Sequence, residues 1–171
     1  MSYTHPYGHP QGTAHRPANL LRQIIIAEII AINGYQSHIA NSNMPEINAV
    51  WYHIMLDEKR HYSLAINLLR KYDPIEYKYF ISAQEQISGP KSPMQTYKPS
   101  YDRQIILNNL REDIKGELEA VILYEEELAE FQQKDIRSAL QAIIDDEKGH
   151  TEHLTQILLK YDSDSHNLNK G

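Results

Sequence analysis

The chain has 171 residues, 41% of them apolar, with 23 acidic and 17 basic side chains and a formal net charge of −6. That is enough for one domain with a sizeable core, and the acidic balance without a long basic run argues against nucleic acid and anionic membrane as partners. There is no cysteine, which excludes disulfides, thiolate zinc sites and cysteine-ligated iron–sulfur clusters and leans weakly towards a reducing compartment.

The start, Met1-Ser2-Tyr3-Thr4-His5-Pro6, has neither a basic nor an apolar segment and does not read as a signal peptide. The longest apolar run, Ile24 to Ile32, is interrupted by Glu28 and is too short to span a bilayer. The expectation is a soluble, cytoplasmic protein. Residues 1–16 hold His5, His9 and His15 among prolines. They read as a disordered tail, with loose metal binding by the histidines as the other reading.

From Pro17 to Ala40, the residues Leu21, Ile24, Ile25, Glu28, Ile32, Tyr35 and Ile39 recur at three- and four-residue steps, as one face of a helix does. A second helix is predicted from Pro45 to Tyr72, with Ile47, Trp51, Ile54, Glu58, His61, Ala65 and Leu68 inward. Asp73-Pro74 ends it, because proline lacks the amide proton and crowds the preceding turn. Residues 74–101 form a crossover with three further prolines, several tyrosines and a possible short helix from Tyr77 to Ile87; its aromatics suggest that it lies against the rest. A third helix runs from Asp102 to Phe131 with Ile106, Leu110, Ile114, Glu117, Val121, Tyr124 and Leu128 inward. A fourth runs from Asp135 to Tyr161 with Ile136, Leu140, Ile143, Glu147, His150, Leu154 and Ile157 inward. Residues 162–171 read as a polar tail.

The chain repeats itself. Asp57-Glu58-Lys59-Arg60-His61 returns as Asp146-Glu147-Lys148-Gly149-His150, and 146 minus 57 gives an offset of 89. The same offset carries Leu21-Arg22 onto Leu110-Arg111, Glu28 onto Glu117, Ala31 onto Ala120, Tyr35 onto Tyr124 and Lys71-Tyr72-Asp73 onto Lys160-Tyr161-Asp162. This is an internal two-fold duplication, with halves at residues 17–73 and 102–161.

On a helix, residues three apart lie on one face, so Glu58 with His61 and Glu147 with His150 can each reach one point. Glu28 and Glu58 stand at roughly equal distances, about 18–22 Å, from the turn that joins their helices. Glu117 and Glu147 repeat this around the second turn. The two hairpins therefore bring four glutamates and two histidines to one level, each glutamate on an apolar stripe. Burying four carboxylates without compensation is prohibitive, whereas two divalent cations balance four negative charges. An oxygen and nitrogen donor set without sulfur suits iron or manganese, with zinc a lesser candidate. One glutamate alone could sit at the edge of its stripe and reach solvent; the paired pattern argues against that for the set.

With this motif, over roughly residues 17–161, the chain resembles a ferritin-like di-iron carboxylate protein of the rubrerythrin-related branch. The resemblance implies an all-α, ferritin-like four-helix bundle with a long crossover between its second and third helices. It implies Glu28 and Glu117 as terminal metal ligands, Glu58 and Glu147 as bridging ligands, and His61 and His150 on one metal each. It implies tyrosines such as Tyr35 and Tyr124 bonded to ligand carboxylates across the bundle; plain core packing is the other reading for these two. It further implies two iron ions, or manganese, and O2 or H2O2 as substrate, in a ferroxidase or peroxide-scavenging oxidoreductase. A manganese catalase-like enzyme and a non-catalytic metal-binding or iron-storage-associated protein are the alternatives.

Two features depart from that pattern. The chain carries no cysteine-rich rubredoxin module, so a reductant has to be a separate partner. Ala120 stands where many rubrerythrins have a further glutamate, one turn after Glu117. Asp57 and Asp146 either hold the histidine of a neighbouring helix or are solvated. His38, His53 and His153 fall off the inner stripes and read as surface or packing residues, Trp51 as core. Exposed helix faces predict a homodimer.

Overall fold

The computed structural model describes residues 17–86 and 101–162. Both expected tails and the second part of the crossover lie outside them. Among the described residues the elements are α1 (Pro17–Ala40), α2 (Pro45–Tyr72), α3 (Pro74–Gln86), α4 (Arg103–Glu130) and α5 (Lys134–Tyr161). None is long and apolar enough to cross a membrane.

The helix ends follow local chemistry. Pro45 opens α2 within its first turn, where the missing amide proton costs nothing. The Asp102 carboxylate caps α4, accepting from the backbone N–H groups of Gln104 at 2.8 Å and Ile105 at 3.1 Å. Asp73 closes α2 with its backbone N–H on the Leu69 carbonyl at 2.8 Å, and its side chain accepts from Ile75 and Glu76 N–H to start α3. The duplicate Asp162 closes α5 on Leu158 in the same way, at 2.8 Å. The duplication extends to the ion pairs at these ends: Arg22 meets Asp73 at 2.5 Å, and Arg111 meets Asp162 at 2.5 Å.

Helix α1 packs on α2 and α4, and α5 packs on α4 and α2, so two antiparallel hairpins face each other in one bundle. Its apolar interior lies in two layers. One contains Leu21, Ile24, Leu69, Phe131, Leu140 and Ile144; the other contains Ile47, Trp51, Ile54, Ile106, Leu110 and Leu154. Each fully buried Leu or Ile contributes about 1.5–3 kcal/mol, which is what holds a polar layer between them. That layer is made of Glu28, Glu58, His61, Glu117, Glu147 and His150, all buried.

Three details differ from the sequence reading. Helix α3 starts at Pro74 rather than Tyr77, because Asp73 caps it. The described crossover aromatics do not all lie against the bundle: Tyr77, Tyr79 and Tyr101 are exposed, and among the described residues only Phe80 is half-buried, under the Arg70 guanidinium 3.7 Å from its ring centre. Near the end of α2 the inward position passes from Leu68 to Leu69, which is buried.

Candidate metal centre

All six residues singled out by the duplicated motif meet in the polar layer. Two groups of ligand atoms converge, each within 4.8 Å: Glu28, Glu58, His61 and Glu147, and Glu58, Glu117, Glu147 and His150. Glu58 and Glu147 belong to both. Their oxygens divide accordingly. Glu58 turns Oε2 to His61 Nδ1 at 3.4 Å and Oε1 to His150 Nδ1 at 3.3 Å. Glu147 turns Oε1 to His61 Nδ1 at 3.3 Å and Oε2 to His150 Nδ1 at 2.9 Å. Glu28 faces only His61, at 3.7 Å, and Glu117 only His150, at 3.8 Å.

The outer atoms are held as well. Each histidine presents Nδ1 to the carboxylates and Nε2 to an aspartate of the opposite motif: His61 to Asp146 at 3.2 Å, His150 to Asp57 at 3.4 Å. Such carboxylate partners orient a metal-binding imidazole and raise its basicity. Arg60 spans both aspartates, at 2.7 Å from Asp146 and 3.2 Å from Asp57. The tyrosines cross the bundle. Tyr124 donates to Glu28 Oε1 at 2.7 Å, and Tyr35 donates to Glu117 Oε1.

The charge state follows from burial. Desolvation pushes Glu28 and Glu117 well above the usual carboxylate range and so favours their neutral form. Desolvation acts the same way on Glu58 and Glu147, but the two histidines beside them outweigh it, leaving Glu58 at about 2 and Glu147 lowered. Desolvation pulls His61 and His150 down, but their carboxylate partners prevail and raise both to about 12. Desolvation, with the neighbouring carboxylates, also raises both tyrosines, which stay neutral donors. Two imidazolium ions thus face two carboxylates and two neutral carboxyl groups. Even so, Glu28 Oε2, Glu58 Oε1 and His61 Nδ1 are buried without a hydrogen-bond partner. Orphaned buried polar atoms are costly, and all three belong to the converging ligand groups. The residues present fit a pair of divalent ions.

A family model described as rubrerythrin matches residues 19–158. The chain belongs to the rubrerythrin family. As a rubrerythrin-family bundle it is also similar to the encapsulin nanocompartment cargo protein EncB of Myxococcus xanthus (strain DK1622). The two are 28% identical over 86 residues, which is 48% of this chain and 54% of the relative. The chain thus spans about half the length of that curated relative. No solved structure matches significantly.

Two polar features escaped the sequence reading. Asp113 on α4 accepts from Trp51 Nε1 at 2.7 Å and pairs with His38 Nδ1 at 3.0 Å, so His38 and Trp51 are tied into a polar cluster. Asp113 lies one turn before Glu117 on the same face. Glu127 is 2% exposed, and neither of its carboxyl oxygens has a hydrogen-bond partner. Desolvation raises it to about 8. It lies one turn after Tyr124, at the position that duplicates His38 (38 plus 89).

Proposed function

We propose that the chain is a di-iron oxidoreductase that reacts with O2 or H2O2. The observation that carries this reading is that Glu58 and Glu147 each offer one oxygen to each histidine, while Glu28 and Glu117 each face one. In this reading Glu58 and Glu147 would be shared by two ions, Glu28 and Glu117 would hold one ion each, and so would His61 and His150. Bound there, two iron ions would supply the electrons that reduce the oxidant. Tyr35 and Tyr124 fix the capping carboxylates, and Asp146 and Asp57 fix the two imidazoles. The apolar layers on either side keep bulk water from the site. Manganese suits the same donors and would make the protein catalase-like.

The test is anaerobic loading with ferrous iron, followed by exposure to O2 or to H2O2. Iron oxidation by O2 alone indicates a ferroxidase. Rapid consumption of H2O2 that requires an added electron donor indicates a peroxidase. Reaction with neither oxidant contradicts the reading. The encapsulin cargo relative favours a second role, in which the iron oxidised here feeds storage inside a shell. Co-purification of the chain with a shell protein tests it. The expected homodimer draws support from Ile26 and Ile30, 55% and 66% exposed on α1, and is checked by sedimentation.

A further inference from the structure

The seam between α2 and α5 carries two histidines that the buried layer does not use. His53 on α2 and His153 on α5 face each other across it, with ring centres 6.0 Å apart. The His53 side chain is 65% exposed and its Nε2 lies 3.7 Å from Oδ2 of Asp57. That same oxygen lies 3.4 Å from Nε2 of the buried His150. Asp57 is 26% exposed, so one carboxylate connects solvent to the polar layer. Arg60 holds the other oxygen, Oδ1, at 3.2 Å, and leaves Oδ2 facing the seam.

This pair stands outside the duplication. Position 142 (53 plus 89) is Ala142, and position 64 (153 minus 89) is Leu64. Nothing in the repeat therefore requires histidine at either place. The spacing suits chelation. Two imidazoles on one tetrahedral cation, with metal–nitrogen distances of about 2.0–2.1 Å, place their ring centres about 5 Å apart. Small rotations of two exposed side chains close 6.0 Å to that value.

We propose that His53, His153 and Asp57 form a second, surface site for one first-row divalent cation, adjoining the buried layer but outside its six residues. Two imidazoles and one carboxylate select Zn2+, Co2+, Ni2+ or Fe2+ over the harder Mg2+ and Ca2+. Water completes the coordination. Because Asp57 also holds His150, a cation captured here stands one side chain away from the buried cluster.

The test is a Zn2+ titration of the metal-free full chain, followed by the ring C–H NMR signals of His53 and His153. Both signals are expected to move together and to saturate at the same Zn2+ concentration. In His53→Ala, the response of His153 should require at least tenfold more Zn2+. The double variant His53→Ala/His153→Ala should bind one ion fewer than the wild type, with unchanged helix content. Glu58→Ala, which removes a buried carboxylate, should keep the coupled response. The proposal is overturned if the two signals move independently, if the double variant binds as many ions as the wild type, or if Glu58→Ala abolishes the response.

Discussion

The hydroxyl of Tyr124 on α4 donates a 2.7 Å hydrogen bond to Oε1 of Glu28 on α1, and Tyr35 and Glu117 form the mirrored bond across the bundle. Each tyrosine therefore fixes a carboxylate of the opposite hairpin. Tyr124→Phe keeps the ring packing and removes the donor. The metal-free protein should lose about 1–2 kcal/mol of stability, and the affinity for metal should fall roughly tenfold. Chemical denaturation and competition with a chelator of known affinity measure the two effects.

Metal binding should release protons. Burial favours the protonated form of Glu28 and Glu117, and His61 and His150, raised to about 12, hold one extra proton each at neutral pH. Ligands bind metal deprotonated, so loading two ions should expel about four protons, two from carboxyl groups and two from imidazolium. The apparent affinity should then rise steeply with pH. Calorimetry in two buffers of different ionisation enthalpy gives the count; a count near zero would refute this charge assignment.

The aspartates should act one per histidine. Asp146→Asn leaves His61 without its carboxylate partner, and Asp57→Asn does the same to His150. Each variant should weaken metal binding about 10- to 100-fold. The double variant should weaken both ions, as a stepwise Co2+ titration can resolve.

Glu127 gives stability a pH dependence of its own. Burial raises it from 4.5 to about 8, so between those values the folded chain holds a proton that the unfolded chain has lost. Its contribution to stability therefore falls as pH rises from 4.5 to about 8 and is flat above that. Glu127→Gln removes the slope. Relative to the wild type, the metal-free variant should gain about 2–4 kcal/mol on going from pH 5 to pH 9, measured by denaturation at the two values.

Much of this architecture was legible before the structure. The four long helices, and the common level of Glu28, Glu58, His61, Glu117, Glu147 and His150, follow from a 3.6-residue period and a strict repeat. Tyr35 and Tyr124 were legible because seven residues return to the same helix face. Asp113 and Glu127 were not. They carry no duplicate partner of like chemistry, since positions 24 and 38 hold Ile24 and His38. A lone acid on a helix says nothing of which neighbouring helix covers it. The exposure of Tyr77 and Tyr79 was equally hidden, because α3 packs on α2 without fully burying any of its described side chains.

The central claim is that the buried layer binds two metal ions through shared carboxylates. The most direct measurement is metal content per chain after anaerobic ferrous loading, for the wild type beside Glu58→Ala. Glu58 faces both histidines, so its loss should cost both ions. The account predicts about two irons per chain in the wild type and fewer than one in the variant, with helix content preserved. If the wild type holds no more iron than the variant, the layer is not a metal centre and the account fails.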